Sequence, residues 1–216
     1  MKKTYILFDL DGTLTDPMIG ITKSVQYALR FYGIEESNLN TLCPFIGPPL
    51  KDSFMKYYHF PESQAEEAIK KYREYFSVTG IFENRVYDGI EELLKELKSC
   101  GKRLLVATSK PEEFAVQILE HFGLAQYFEH ICGASMDEKR VKKGDVIAYA
   151  IEMEGIEDIS LAVMVGDREH DIIGAKENGM DSIGVLFGYG SRKELEEAGA
   201  HFIGESVKEL TKLLIG

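Results

Sequence analysis

Residues 5–14 carry the sequence Tyr5-Ile6-Leu7-Phe8-Asp9-Leu10-Asp11-Gly12-Thr13-Leu14. The apolar run at residues 5–8 is too short for a helix and leads into a glycine turn, so it predicts a buried β-strand. Asp9 and Asp11 follow at the C-terminal end of that strand. In an open α/β sheet, ligands bind at that end of the strands. The two carboxylates are therefore expected at a ligand-binding edge.

The spacing of Asp9 and Asp11 suits one kind of chemistry. One carboxylate can attack an electrophile while the other transfers protons, and a divalent cation can neutralise the charge of both. Gly12 lets the backbone turn without a Cβ atom, and its amide can approach a bound anion closely. For two aspartates at this spacing alone, an acidic turn that caps a helix is the alternative.

Composition limits the class of protein. With 216 residues the chain forms one or two domains, and its formal net charge of −11 argues against a nucleic-acid binder, which needs a basic face. Cys43, Cys100 and Cys132 are odd in number and have no CxxC or Cys/His cluster beside them, so they predict neither a disulfide framework nor a zinc site. Because the first residues show no apolar h-region and no run of about eighteen apolar residues follows, we expect a soluble protein of the reducing cytosol.

The periodicity of apolar residues changes after the first strand. Three segments with helical spacing follow, the last closing near Gly80, and no strand-like alternation interrupts them. From Asp88 onward, helices of about ten to fifteen residues alternate with short apolar strands, which is typical of a doubly wound parallel sheet. We therefore predict an α/β core formed by residues 1–15 and 84–216, with residues 16–83 inserted as a helical domain.

Two further strand ends carry hydroxyl groups and lysines. Thr108 and Ser109 follow the second predicted strand just before a helix, where a hydroxyl and free amides can bind an oxyanion. The alternative for this pair is a helix N-cap. Lys142 and Lys143 precede the next helix, and a lysine there could offset charge on a phosphoryl oxygen. Two lysines in a loop are otherwise solvated surface charges.

The last candidate strand end carries Asp167 and Asp171 after a buried apolar run. Residues four apart can share one side of the turn that begins a helix. Aspartate oxygens suit a hard cation such as Mg²⁺. The alternative is a helix N-terminus whose dipole favours acidic side chains.

The order of these groups along the whole chain resembles the haloacid dehalogenase-like (HAD) superfamily of aspartyl-phosphate hydrolases. Four strand ends present an acid pair, a hydroxyl, a lysine and a second acid pair, and the helical insert is similar to that superfamily's helical-bundle cap. The resemblance implies a Rossmann-like doubly wound core, residues 16–83 as the cap, and a Mg²⁺-dependent phosphatase that forms an aspartyl-phosphate.

The resemblance also implies a role for each matching residue. Asp9 would be the nucleophile, and Asp11 the general acid/base, with its backbone carbonyl ligating the metal. The KxDVI-like context of residues 143–147 favours Lys143 over Lys142 as the site lysine. The catalytic residues would be Asp9, Asp11, Thr108 and Lys143. The metal site would use Asp9, Asp11 and Asp167 as ligands, and Asp171 would support those ligands without binding the metal directly. Gly12, Thr108, Ser109 and Lys143 would bind substrate in the core, and Gly47 and Pro48 in the cap.

Other segments indicate a branch of the superfamily. Residues 45–50 and 187–191, and Arg140 together with Lys143, look like phosphoglycolate phosphatases and 5′-nucleotidase-like proteins. The Gly47-Pro48-Pro49 turn either touches substrate or only joins two helices rigidly. Arg168-Glu169-His170 departs from the small or neutral residues common in phosphoglycolate phosphatases. The expected substrate is thus a small phosphomonoester, of the phosphoglycolate or nucleoside monophosphate type.

We expect a small phosphorylated metabolite as partner and Mg²⁺ as cofactor, with no nucleic-acid polymer and no membrane. A monomer is expected and a dimer is left open. A phosphosugar mutase of the same superfamily and a non-catalytic phospho-acceptor module are the alternatives to a phosphatase. A dehalogenase is disfavoured because halide displacement needs no leaving-group proton, which would make Asp11 superfluous.

Overall fold

The computed structural model describes residues 2–135 and 139–216. The chain folds as two units, one formed by Met1–Thr15 and Val86–Gly216 and the other by Asp16–Arg85. The strands are β1 (Tyr5–Phe8), β2 (Thr15–Asp16), β3 (Arg85–Val86), β4 (Arg103–Pro111), β5 (His130–Ala134), β6 (Ala162–Gly166), β7 (Asp181–Val185) and β8 (Phe202–Gly204). The α-helices are α1 (Met18–Phe31), α2 (Leu50–Tyr58), α3 (Glu62–Phe76), α4 (Ile90–Ser99), α5 (Glu112–His121), α6 (Lys143–Glu154), α7 (Glu169–Glu177), α8 (Arg192–Ala198) and α9 (Val207–Ile215).

The first unit is built on a six-stranded parallel sheet in the order β5-β4-β1-β6-β7-β8. From β1 the strand order extends first to β4 and β5 on one side and then to β6, β7 and β8 on the other. Such a reversal of strand order opens a crevice at the carboxyl ends of the strands. The predicted doubly wound parallel α/β fold is confirmed, and β1 lies at the point of reversal.

Both faces of the sheet are buried, which explains the unbroken apolar runs of the central strands. Leu7, Leu105 and Met164 share one cluster with Val146 and Ile147 of α6. Because side chains alternate along a strand, the neighbours of these residues point to the opposite face. Ile6, Phe8, Leu104, Val106, Val163 and Val165 are also fully buried. A strand buried on both faces reads as a continuous hydrophobic run rather than an alternating one.

The second unit consists of α1, α2 and α3 with a 3₁₀ segment at Leu39–Phe45. Its interior is aromatic: the ring of Phe54 lies 5.0 Å from that of Phe45 and 5.9 Å from that of Phe60, centroid to centroid. Gly20 brings α1 against the backbone near Gly80, since a Cβ atom on Gly20 would lie 1.9 Å from the Gly80 carbonyl oxygen. Arg85 donates to Asp16 at 2.8 Å where the unit begins and ends.

The structure adds elements that the sequence patterns do not predict. Strand β4 continues to Pro111, beyond the predicted end at Ala107, and α8 and β8 lie in a stretch for which no element was predicted. Helix α8 has only one buried residue, Leu195, and β8 is a three-residue strand whose Phe202 is exposed. Neither offers the repeated apolar spacing on which a sequence prediction depends.

The three cysteine side chains differ in exposure. Cys100 is exposed, Cys43 is half-buried in the second unit, and Cys132 is buried in the core of the first. Burial raises the pKa of the Cys132 thiol to about 12, and it also raises the pKa of Cys43. Within the described residues, no helix combines the length and the apolar character needed to cross a membrane.

Candidate active site

Three adjacent strands bring the predicted site residues of the first unit together. Asp9 follows β1, Thr108 lies within β4, and Asp167 follows β6, and these strands are neighbours in the sheet. Lys143 is the first residue of α6 and Asp171 lies in the first turn of α7. All five side chains are at least nine-tenths buried. The fold therefore concentrates acidic and basic groups at one edge of the sheet.

Asp9 is held by two groups that both contact its Oδ1 atom. The Leu10 amide donates to this oxygen at 2.8 Å, and the Lys143 ammonium lies 2.8 Å from it. The Asp9 amide donates to the Val165 carbonyl of β6 at 2.9 Å, so sheet pairing continues past the end of β1. The carboxylate is fixed by its own backbone as well as by the lysine.

Lys143 links Asp9 to Asp171. Its Nζ lies 2.8 Å from Asp9 Oδ1 and 2.8 Å from Asp171 Oδ1, and it donates to the Ala107 carbonyl at 3.1 Å. Burial opposes the positive charge, but Asp171 and Asp9 outweigh that effect and raise the pKa of Lys143 above its ordinary value. Lys142, the other lysine considered from the sequence, is exposed. Geometry thus places Lys143 among the carboxylates.

Asp171 has a second contact that explains its position in α7. Its Oδ2 accepts a hydrogen bond from the Arg168 amide at 3.1 Å, which caps the N-terminus of the helix. Asp171 thus lies at a helix N-terminus, the position given by the alternative considered from the sequence, and contacts Lys143 as well. Burial raises the pKa of Asp171 to about 6, although Lys143 works in the opposite direction.

Asp167 is a fully buried carboxylate whose two oxygens have different surroundings. Its Oδ2 accepts from the Tyr189 amide at 2.7 Å, while its Oδ1 is buried with no hydrogen-bond partner among the described residues. Burial, reinforced by the charges of Asp171 and Asp9, raises the pKa of Asp167 well above its ordinary value. A buried carboxylate oxygen without a partner is an unfavourable arrangement unless a further group binds there.

The carboxylates of Asp9, Asp167 and Asp171 fit a divalent cation. One oxygen from each lies within 4.8 Å of the others. Both oxygens of Asp171 are engaged, Oδ1 by Lys143 and Oδ2 by the Arg168 amide. The contacts of Asp9 with Leu10 and Lys143 both use Oδ1, and Asp167 Oδ1 has no hydrogen-bond partner among the described residues, so Asp9 and Asp167 are better placed to ligate directly. An oxygen-only donor set of this kind is what Mg²⁺ prefers. The unpartnered Oδ1 of Asp167 is the structural sign that such a ligand fits.

Glycines allow the backbone to pack against Asp167. Gly12 has φ +85°, and a Cβ atom there would lie 2.3 Å from Asp167 Oδ2. A Cβ atom on Gly188 would lie 2.5 Å from the same oxygen. Any side chain at either position would displace the carboxylate. The two predicted motifs that contain these glycines, residues 9–14 and 187–191, therefore meet at Asp167.

Asp11 is paired with a lysine that the sequence interpretation did not assign to the site. Lys110 Nζ lies 2.7 Å from Asp11 Oδ2, and both side chains are at least nine-tenths buried. Burial raises the pKa of Asp11, and Lys110 counteracts part of that rise. Residues two apart on an extended strand share a face, so the alternation of Thr108 and Lys110 could have revealed this lysine.

Thr108 and Ser109 lie shortly before a helix, as the sequence predicts, but the chain that carries them is still extended. They lie within β4, and α5 begins only at Glu112. Thr108 is buried, and its Oγ1 accepts from the Lys110 amide at 3.2 Å, whereas Ser109 is half-buried. The extended chain, rather than a helix end, presents the Thr108 hydroxyl.

The remaining predicted residues have other contacts or lie in the other unit. Arg140 donates to Glu112 at 3.0 Å and stacks over the Tyr149 ring at 3.7 Å, while Arg168 pairs with Glu194 at 2.8 Å. Gly47 and Pro48 belong to the second unit, in the turn before α2, where Gly47 has φ +100°.

Comparisons with known proteins agree on one family. The sequence profile described as haloacid dehalogenase-like hydrolase matches residues 6–185. The chain is 51% identical over 190 residues to a Pseudomonas aeruginosa protein named 5′-nucleotidase, covering 88% of this chain and 86% of that one. A crystal structure of a predicted phosphatase from Clostridium acetobutylicum superimposes with a TM-score of 0.96 at 54% identity, covering 100% of this chain and 99% of the other.

A further relative carries a different name. The chain is 45% identical over 188 residues to the Mycobacterium tuberculosis protein named tyrosine-protein kinase PtkA. That alignment covers 86% of this chain and 62% of the relative, so the chain spans less than two thirds of its length.

Proposed function

Because this chain belongs to the haloacid dehalogenase-like hydrolase family, we propose that it is a Mg²⁺-dependent phosphatase that hydrolyses a small phosphomonoester through an aspartyl-phosphate on Asp9. One observation carries the proposal. Asp9 lies at the reversal point of the sheet, 2.8 Å from the buried Lys143 ammonium and within reach of the Asp167 carboxylate. A nucleophile, a counter-charge and a cation site thus converge on one point.

In the first step, Asp9 attacks the phosphorus atom of the substrate. Contacts with the Leu10 amide and Lys143 use Oδ1, which leaves Oδ2 to form the new bond. The bond between phosphorus and the alcohol oxygen breaks, and its electron pair stays on that oxygen. Asp11 supplies the proton that this oxygen takes up, and its raised pKa keeps it protonated over a wider pH range.

In the second step, water hydrolyses the aspartyl-phosphate. Asp11, now a carboxylate, accepts a proton from the water as the water oxygen bonds to phosphorus. The bond between phosphorus and Asp9 breaks, so phosphate leaves and the carboxylate is restored. Lys143 stays charged throughout and, with Thr108, offsets the charge on the phosphoryl oxygens.

Asp9, Asp167 and the backbone carbonyl of Asp11 would hold the metal, and Asp171 would support it through its contact with Lys143. Bound Mg²⁺ would supply positive charge that lets the anionic substrate approach two anionic side chains. The buried, unpartnered Oδ1 of Asp167 supports this assignment.

We assign substrate selection to the second unit, Asp16–Arg85, as a cap. The relative named 5′-nucleotidase makes nucleoside monophosphates the first class to examine, ahead of phosphoglycolate. Within the cap, the Gly47-Pro48 turn is the proposed substrate contact. Pro48→Ala should change the ratio of kcat/KM values among natural phosphomonoesters while leaving hydrolysis of p-nitrophenyl phosphate intact. Pro61→Ala, which alters the proline before α3 in the same unit, is the matched control.

The proposed activity is tested by phosphate release from nucleoside monophosphates, phosphoglycolate, sugar phosphates and p-nitrophenyl phosphate, with Mg²⁺ or with excess EDTA. We expect turnover only with Mg²⁺, and none for Asp9→Asn. A mutase would instead need a bisphosphate activator and yield an isomer. A phospho-acceptor module would label on Asp9 without turnover, and transfer from ATP to tyrosine would indicate the kinase activity named for PtkA.

A further inference from the structure

Lys110 is a buried charge at the site for which the proposed mechanism has no role. Its side chain is 5% exposed and that of Asp11 is 10% exposed, and the two charged atoms are 2.7 Å apart. Removing two charges from water costs free energy that their attraction rarely recovers, so a buried ion pair is weak support for a purely stabilising role. The pair calls for a functional explanation.

The path of β4 places this lysine with little freedom. The β4–β5 register shifts between Ala107 and Pro111, and the strand continues to Pro111. Thr108 and Lys110 are two residues apart on extended chain, so their side chains share a face. The Lys110 amide also donates to Thr108 Oγ1 at 3.2 Å. One short segment thus orients both the hydroxyl and the ammonium group.

The two aspartates of the opening motif each have their own lysine. Lys143 contacts Asp9 and Asp171, whereas Lys110 contacts Asp11. Lys110 contacts Asp11 through Oδ2. The other carboxylate oxygen, Oδ1, is buried without a hydrogen-bond partner among the described residues. Oδ2 is therefore held by the ammonium group, whereas Oδ1 is left to interact with a further group.

Building on the proposed function, we propose that Lys110 is a positioning residue that fixes Asp11 through Oδ2, so that Oδ1 is the atom that exchanges a proton with the leaving group. When the phosphorus–oxygen bond to the alcohol breaks, the proton passes from Oδ1 to the alcohol oxygen. The reverse transfer, from the attacking water to Oδ1, occurs in the second step. The Lys110 ammonium, bonded to Oδ2, stabilises the carboxylate left behind when the proton leaves.

The test uses rapid-quench measurement of phosphoenzyme formation from an alkyl phosphate and from p-nitrophenyl phosphate. An aryl leaving group needs little protonation, so loss of positioning should affect the alkyl ester alone. For Lys110→Met we expect formation from the alkyl ester to slow about 10²-fold, the size of effect that a small misplacement of a reacting group produces. Formation from the aryl ester should change less than tenfold. Lys110→Arg should recover part of the alkyl rate.

Two further variants separate positioning from folding. Lys142→Met removes the exposed lysine that directly precedes α6 and Lys143, and it should change neither rate. When Lys110→Met is added to Asp11→Asn, phosphoenzyme formation from the alkyl ester should be no slower than in Asp11→Asn alone. A residue that acts through Asp11 has no effect once the acid is gone. The double variant also removes both charges of the pair, so it avoids an unpaired buried charge.

The outcomes are distinct. Equal slowing with both esters, or additive losses in the double variant, would overturn the role of Lys110. If Lys110→Met does not fold, the comparison of the double variant with Asp11→Asn decides in the same way. If the wild type forms no phosphoenzyme, or if Asp9→Asn keeps its activity, the proposed function itself fails. The two failures are therefore distinguishable.

Discussion

Two lysine–carboxylate pairs with nearly the same geometry lie in very different surroundings. Lys51 in the helical unit approaches Glu62 to 2.6 Å, with side chains 31% and 69% exposed. Lys143 in the α/β unit approaches Asp9 to 2.8 Å, with side chains 4% and 6% exposed. The exposed pair loses little on separation because water replaces each partner. The buried pair leaves an uncompensated charge when one partner is removed. Distance alone therefore says little about what an ion pair does.

The largest effect that we expect from substituting a buried carboxylate at the site is on the rate of phosphoenzyme formation. Asp11→Asn is nearly isosteric and should fold, but it should remove the proton transfer proposed for Asp11, a contribution of about 10²–10⁴-fold. Phosphoenzyme formation from alkyl phosphates should fall by about that factor, with a much smaller change for aryl phosphates. Turnover should fall for both, since the proposed mechanism also has Asp11 activate water. Equal slowing of formation from both ester types in a rapid-quench experiment would remove Asp11 as the general acid.

The next largest effect is on stability, and it comes from a substitution that breaks the buried pair of Lys143 and Asp9. Lys143→Met leaves Asp9 and Asp171 facing each other without the ammonium between them. The free energy of unfolding should fall by about 3–5 kcal/mol, the usual result of removing one partner of a buried pair. Urea denaturation in EDTA measures it. A loss no greater than that of Lys51→Met would mean that burial does not distinguish the two pairs.

A smaller effect of opposite sign is expected at Asp167. Its pKa in the folded protein lies well above the ordinary value of 3.8, so the folded form holds a proton that the unfolded chain loses first. Without metal, stability therefore falls as pH rises above that ordinary value. Asp167→Asn should remove part of this slope and stabilise the metal-free protein at pH 7 by on the order of 1 kcal/mol.

The same variant also tests the metal site without measuring activity. Mg²⁺ should raise the unfolding temperature of the wild type, because a ligand that binds the folded state stabilises it. It should have no such effect on Asp167→Asn. A Mg²⁺-dependent shift that survives the substitution would exclude Asp167 as a ligand.

The smallest effect is expected at the exposed pair. Lys51→Met should leave the urea midpoint unchanged within error, because exposed pairs gain little over hydrated charges. Lys142→Met, in the α/β unit, serves as a second exposed-lysine control. A clear loss of stability for Lys51→Met would mean that the network with Glu62 and Glu66 is more than a surface contact.

The fold was predictable because the apolar runs of the central strands report burial on both faces. Leu104 to Ala107 shows this directly, since every residue in it is fully buried. Helix α8 and strand β8 were not predictable, because Leu195 alone anchors the helix and Phe202 faces outward. Periodic patterns identify elements that bury a whole face, and they miss short elements at the sheet edge.

The site was predictable where chemistry and strand ends coincide, as at Asp9 and Asp167. Lys110 was missed because β4 was predicted to end at Ala107, which hid its alternation with Thr108. The choice between Lys142 and Lys143 depends on the residue at which α6 begins. Only the structure shows that the side chain of Lys142 is exposed and that of Lys143 is buried. A one-residue change in phase decides whether a lysine is exposed to solvent or buried beside the carboxylates.

The unequal exposure of the three thiols makes the natural sequence suitable for spectroscopic labelling. Cys100, on the α/β unit, should react first with a maleimide dye because it is exposed. The thiolate is the reactive species, so a raised pKa slows the reaction of a thiol. Cys43, on the helical unit, is half-buried with a raised pKa and should react more slowly, while Cys132 should stay protected. Sequential addition of two dyes would thus place a donor on one unit and an acceptor on the other without any substitution. Energy transfer between them would report how the separation of the two units responds to Mg²⁺ and substrate.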